Sequence, residues 1–155
     1  MAADLNDFRV ERTGLEELTP RECLRLARTC AWGRLAVVVG GRPLVFPVNF
    51  AFDGGAVVLR TDEGTKLDGA RSAPVAFECD DVDRMYHTGW SVLITGNAEE
   101  VNDPVEIARL GQLPLGPWSP GPKPVWLRIR PRTITGRRIP LHGSHTCEQS
   151  REVTS

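Results

Sequence analysis

The segment Arg60-Thr61-Asp62-Glu63-Gly64-Thr65-Lys66 places two cations and two hydroxyls around one glycine. That inventory suits a phosphate: arginine offers a planar fork, lysine a point charge, and threonine hydroxyls with free backbone N–H groups supply the rest. If Thr65 and Lys66 open a helix, its positive end adds to the site. The chain has 17 arginines but only two lysines, Lys66 and Lys123. Against that bias, a lysine kept in a Gly-Thr-Lys triplet stands out from filler. A solvated β-turn accounts for the same residues, and Asp62 and Glu63 would repel a phosphate unless they point away. Both readings stand on the residues alone.

Two further constellations can carry chemistry. In Gly89-Trp90-Ser91-Val92 a hydroxyl could bond a ligand while the Trp90 ring packs on it; the alternative is a core Trp90 with a small Ser91 beside it. In Trp126-Leu-Arg128-Ile-Arg130-Pro-Arg132 the even positions set an aromatic and three guanidiniums on one face of a strand, with Arg137 and Arg138 following. That row reads either as a solvated outer face or as a surface for an acidic group. His87 has no nucleophile or base pattern around it and reads as structural. The loose set His142, His145 and Cys147 lacks a fourth ligand, so no metal site is expected. The absence of acid–base machinery fits a protein whose bound cofactor carries the chemistry.

The elements around these residues are mostly strands. Thr19-Pro20-Arg21-Glu22 forms a capping box with proline at the first helical position, and Leu18, Cys23, Leu26, Ala27 and Cys30 recur at helical spacing, predicting a helix over 20–30. Strands follow at 35–39, 43–52, 56–61, 74–80 and 90–101. Gly40-Gly41 and Asp53-Gly54-Gly55 turn the chain. Leu44, Phe46, Val48, Phe50 and Phe52 share one face of the second strand, and Pro43 and Pro47 interrupt its pairing. A short helix is expected near 65–71, an acidic loop at 80–84, and a helix from Asp103-Pro104 to Leu110. Residues 113–124 make a proline-rich loop. Val125 to Ile139 reads as a last strand pair bent near Thr135-Gly136. About six strands joined by short turns favour an antiparallel barrel over a doubly wound sheet. The parts are a lead-in at 1–17, one barrel domain at 18–140 and a polar tail at 141–155.

Bulk properties agree. Of 155 residues, 41% are hydrophobic and 25% charged, as in an ordinary globular domain. Net charge is −1 and the pI about 6.3, so nothing global points to nucleic acid or an anionic membrane. The longest aliphatic run, Leu35 to Val39, is far too short to span a bilayer. The acidic N-terminus lacks the plan of a signal peptide, so a cytoplasmic protein with free thiols at Cys23, Cys30, Cys79 and Cys147 is expected.

In order and spacing these pieces resemble the pyridoxamine 5′-phosphate oxidase-like family of FMN-binding split barrels, over about residues 15–139. The resemblance is carried by Glu22-Cys23, Gly33-Arg34-Leu35-Ala36, Phe46-Pro47-Val48-Asn49-Phe50, Leu59-Arg60-Thr61 with Gly64-Thr65-Lys66, Val75-Ala76-Phe77-Glu78, Gly89-Trp90-Ser91-Val92 with Gly96-Asn97-Ala98, and Ile129-Arg130-Pro131 with Ile134-Thr135-Gly136-Arg137-Arg138. It implies a mainly β, six-stranded antiparallel split barrel with short peripheral helices, forming a homodimer with FMN at the subunit interface. Arg60, Thr61, Thr65 and Lys66 would hold the phosphate, and Pro47, Val48 and Asn49 would run beside the flavin ring. Ser91 would face the cofactor from the neighbouring strand, and Trp126 and Arg138 would be partner-subunit contacts. The implied activity is that of a flavin-dependent oxidoreductase on a small molecule. The chain lacks the Arg-Leu-x-Pro ending of the vitamin B6 oxidases, so pyridoxamine phosphate is not the expected substrate. The family also includes nitroimidazole-resistance-type reductases, F420 reductases and haem-binding members. F420, whose acidic tail the row Arg128, Arg130 and Arg132 could meet, is the first alternative cofactor; haem, or a non-catalytic carrier or sensor, comes after it.

Overall fold

A computed structural model describes residues 14–141 except 72 and 117. His142, His145 and Cys147, and most of the lead-in, lie outside the described residues. Eight antiparallel strands form one sheet: β1 (Glu16–Glu17), β2 (Trp32–Val39), β3 (Arg42–Asn49), β4 (Ala51–Asp53), β5 (Ala56–Thr61), β6 (Pro74–Asp83), β7 (Thr88–Val101) and β8 (Val125–Ile139). Three short helices flank it: α1 (Pro20–Ala27), α2 (Thr65–Ala70) and α3 (Pro104–Leu110). None is long and apolar enough to cross a membrane.

The sheet order β3-β2-β6-β7-β8-β5-β4 fixes the shape. β3 and β4 stand at its two ends, yet only Phe50 separates them in the chain. In a flat sheet the end strands would lie ~30 Å apart at normal strand spacing. A one-residue link therefore requires the sheet to curl until its edges meet. The two edges share no ladder, so the barrel is split there. The expected 43–52 strand is this pair, β3 and β4, divided at the buried Phe50. That division and the two-residue β1 on Arg137 and Arg138 bring the count to eight where about six were expected.

Alternation along β2, β3 and β6 sends Leu35, Val37, Val48, Phe77 and Cys79 inward. Phe50 and Phe77 meet edge to face at 4.6 Å, and Leu59, Ile94, Leu127 and Ile129 complete the fill. Each such side chain contributes ~1.5–3 kcal/mol when fully buried. α1 forms with its capping box intact, Thr19 Oγ1 accepting from Glu22 N–H and Glu22 Oε2 from Thr19 N–H. Cys23 and Cys79 are buried free thiols and Cys30 is half-buried. α3 covers a second cluster of Val58, Val101, Leu110 and Trp126.

Two expectations are corrected. Residues 80–83 continue β6 rather than forming a loop, because each finds a partner on β7 from Ser91 to Thr88. Residues 125–139 are one strand, not a pair. Its irregularity falls not at Thr135-Gly136 but at a bulge where the register on β7 skips Arg132 between Pro131 and Thr133.

Candidate functional site

β3 pairs only with β2, so one of its edges is open. Phe50 N–H bonds back to the Ala31 carbonyl at 3.3 Å. Counting back along the ladder, the even residues of β3 bond toward β2, while Pro43, Val45, Pro47 and Asn49 turn their backbone to the open edge. Prolines are tolerated there because no ladder bond needs their missing N–H. Along Pro47-Val48-Asn49, Val48 points into the core and Pro47 and Asn49 lie on the outer face.

The cationic loop leaves β5 and enters α2. Gly64 carries the turn at φ +141°, a conformation L side chains rarely adopt, and Thr65 and Lys66 open α2 as expected. Gly69 lets α2 lie on β2: a Cβ there would come within 2.7 Å of the Val37 side chain. In this position Lys66 Nζ stands 5.5 Å above the Phe46 ring of β3. Lys66 is half-buried, and no hydrogen bond or ion pair engages its ammonium among the described residues. Burial pushes its pKa below the ordinary lysine value, with Asp62 opposing and Lys123 adding to the shift.

The acidic neighbours are engaged elsewhere. Glu63 turns to Arg71 at 3.6 Å, and Asp62 pairs with Lys123 at 3.3 Å. The hydrogen bond from Lys123 holds the Asp62 carboxyl below its usual range. Arg60 Nε donates to the Lys123 carbonyl at 3.0 Å, and its guanidinium lies 4.9 Å over the Trp126 ring. Thr61 is fully buried and Thr65 exposed. Lys66 and the exposed Thr65 open α2 close in sequence to Arg60 at the end of β5, whereas Thr61 is fully buried and gives its hydroxyl to Asp62. Lys123 joins them from the proline-rich loop, and the sequence reading missed it. The available signal was that it is the chain's one other lysine.

The remaining expected site residues lie elsewhere in the subunit. Trp90 pairs with Arg138, and Ser91, exposed, with Arg137. Arg60 pairs with Trp126 at the far end of β8. From 126 to 138 is about 40 Å of strand. Ser91 lies between β6 and β8 and does not neighbour β3. With Arg84, Ile139 and Leu141, Trp90 and Arg138 line a cleft of about 570 Å³. Trp126 is corrected as a surface contact: α3 covers it, leaving it 6% exposed within its own subunit. The arginine row is corrected too. Arg128 is nearly buried and pairs with Glu106 at 2.8 Å and with Asp53 and Glu99 at 3.5 Å. Arg130 pairs with Glu99 at 2.9 Å, and Arg132 is exposed at the bulge. His87 is exposed at the β6–β7 turn with φ 51°.

A curled antiparallel sheet with a seam between its end strands, and a cationic loop beside that seam, defines a split β-barrel. By its match to the family model described as pyridoxamine 5′-phosphate oxidase, over residues 19–138, this chain belongs to that family. It is 38% identical over 129 residues to the uncharacterized protein Rv0080 of Mycobacterium tuberculosis, covering 79% of this chain and 84% of that one. Among solved structures, an FAD binding protein from Mycobacterium smegmatis is 39% identical, with a TM-score of 0.69 over 79% of this chain and 98% of that one. A Corynebacterium glutamicum protein provisionally named pyridoxamine 5′-phosphate oxidase is 36% identical, with a TM-score of 0.74 over 86% and 99%.

Proposed function

We propose that this chain is a flavin-dependent oxidoreductase that holds FMN by its phosphate and acts, as a homodimer, on a small molecule. The observation that carries the reading is Lys66. A half-buried ammonium with no hydrogen bond among the described residues costs free energy that an anion would offset. The Lys123 ammonium is drawn to the same place, and one carboxylate, Asp62, lies between two lysines. The residues present fit a phosphate: Lys66 and Lys123 supply charge, Arg60 is steadied on Trp126 and Thr65 offers an exposed hydroxyl. The open edge of β3 at Val45 and Asn49 offers backbone donors and acceptors for a planar heterocycle. A bound flavin supplies the hydride or electron transfer. The chain's own part is to bind, to orient the ring along β3 and to keep Lys66 charged against the phosphate.

The dimer reading rests on the same geometry. Trp90, Ser91 and Arg138 cannot reach the Lys66 cluster of their own subunit along about 40 Å of β8. In a dimer, these residues from one subunit complete the site of the other.

FAD is the second reading, favoured by the 39% identical FAD binding protein of M. smegmatis. F420 has less support, since Arg128 and Arg130, which its acidic tail would use, are held by Glu99, Glu106 and Asp53. Haem would need an axial ligand, and His87, the histidine among the described residues, sits on an exposed turn. The absorption spectrum of the purified protein tests the assignment. The two-banded spectrum of an oxidised flavin supports it, and chromatography of the released cofactor separates FMN from FAD. A single deazaflavin band or a sharp Soret band overturns it.

A further inference from the structure

One aromatic pair has no part in the core. The rings of Trp32 and Trp118 stack at 5.6 Å with 14° between their planes. Trp32 is 40% exposed and Trp118 71% exposed, so the pair presents a large apolar surface to solvent. It sits against the open edge of β3. Trp32 is the ladder partner of Asn49, on the outer face where neighbouring side chains lie close. The Asn49 amide is bound on both sides: Nδ2 donates to the Ala31 carbonyl at 3.1 Å, and Oδ1 accepts from Trp118 N–H at 2.8 Å. Asn49 therefore pins the proline-rich loop to the seam at Trp118. Five residues later the same loop delivers Lys123 to Asp62. The C-terminal end of the loop stands at the cation cluster and its middle at Asn49. Phe46, under Lys66, and Asn49 are separated by ~10 Å along β3 and lie on its opposite faces, so a ligand joining them crosses the open edge between.

We propose that Trp118, backed by Trp32, is the ring-contacting residue of the flavin site: its exposed indole stacks on the isoalloxazine ring when the phosphate is held by Lys66 and Lys123. This inference rests on the flavin reading above and names what that reading leaves open, the groups that hold the ring. Three observations converge on it. The indole is exposed, although burial of an aromatic of this size is favourable. A side-chain amide fixes its backbone at the stretch of β3 expected to run beside the ring. The prolines near it in sequence, at 114, 120, 122 and 124, each fix one backbone dihedral, so less order is lost on binding.

The test is a fluorescence titration of the full-length chain with FMN, and in parallel FAD, each paired with equilibrium dialysis. An indole stacked on a flavin quenches its emission strongly, so the change on replacing Trp118 reports the contact. Wild type is expected to bind and to quench. Trp118→Leu should still bind FMN, about three- to tenfold more weakly, as the loss of one aromatic pair implies. Its bound FMN should recover most of its emission, and Trp118→Phe should restore affinity without full quenching. Trp32→Leu, which frees the indole from its backing, should act in the same direction. Because Trp118 is largely exposed, its replacement should leave the thermal midpoint unchanged, which separates a lost contact from a lost fold. Flavin bound to wild type with affinity and emission untouched in Trp118→Leu overturns the ring contact and leaves the flavin reading standing. Failure of wild type to bind either flavin overturns both.

Discussion

Lys123 Nζ reaches Asp62 Oδ2 at 3.3 Å across 61 residues of sequence, and so draws the proline-rich loop onto the turn that carries Lys66. The contact has two effects. It neutralises the carboxylate that argues most strongly against an anion site, and it brings the chain's only two lysines together. Consequences follow for binding, pH response and stability.

Lys66→Ala should weaken flavin phosphate binding far more than it weakens the fold. A charge-assisted contact is worth roughly 1.5–3 kcal/mol, or about ten- to a hundredfold in affinity. With no ion pair to lose among the described residues, the variant should stay within about 0.5 kcal/mol of wild-type stability in urea titrations. Asp62→Asn should tighten binding several-fold, since it removes the one negative charge between the lysines. Unchanged affinity in Lys66→Ala would return the segment to the solvated-turn reading.

Binding should also depend on pH in a specific direction. Burial favours the neutral form of Lys66 and depresses its pKa. A lysine depressed in the folded state opposes folding at neutral pH, where it is charged, and that opposition fades as pH rises from the folded pKa to the ordinary lysine value. Phosphate reverses this by favouring the charged form. Flavin affinity should therefore fall on the alkaline side at a pH below the ordinary lysine value, with proton uptake on binding. Calorimetry on the alkaline side, in buffers of differing ionisation enthalpy, measures that uptake; an uptake there that is the same in Lys66→Ala would remove Lys66 from the contact.

The arginines of β8 should separate by role. Arg128 is nearly buried against three carboxylates that also pair with Arg109 or Arg130, so Arg128→Ala removes packing and charge-assisted hydrogen bonds and should cost about 1–3 kcal/mol. Arg132, exposed at the bulge, should change stability by less than ~0.5 kcal/mol when replaced by alanine. Equal effects in chemical denaturation would contradict the assignment of Arg128 to the internal network.

Gly69→Ala should damage the site through packing alone. The added Cβ would fall 2.7–2.8 Å from the side chains of Val37 and Val39, which are held in β2. Overpacking of this kind costs about 1–3 kcal/mol. It should also displace α2, and with it Lys66, from Phe46. A variant with wild-type stability and flavin affinity would show that α2 adjusts freely.

Subunit sharing is open to complementation. If Lys66 and Arg138 serve one site from two chains, Lys66→Ala and Arg138→Ala each bind poorly alone. Their co-expressed heterodimer regains one intact site, seen as one flavin per two chains. A monomer in sedimentation, or no recovery on mixing, would refute the shared site.

Much of this molecule is written locally. The capping box at Thr19 and Glu22, the apolar alternation from Leu44 to Phe52, and the turns at Gly40-Gly41 and Gly54-Gly55 act over a few residues, so the sequence alone determined α1, the β2–β3 hairpin and the turn into β5. The same holds for the phosphate-like inventory at 60–66 and for the opening of α2 at Thr65. Strand pairing is not local. That residues 80–83 find partners on β7, and that β8 runs unbroken past Gly136 with its bulge at Arg132, depends on register against a distant strand. The fate of charged residues was decided at still longer range. Arg128 looked free in sequence because Asp53, Glu99 and Glu106 come from three other elements. Trp126 looked like a surface aromatic until α3 packed over it. Lys123 and Trp118 read as loop residues, and only the curl of the sheet set that loop against β3, where one finds Asp62 and the other Asn49. Short-range sterics and hydrogen bonding make elements legible. Which charges are paired, and which remain for a ligand, is settled by the closure of the barrel.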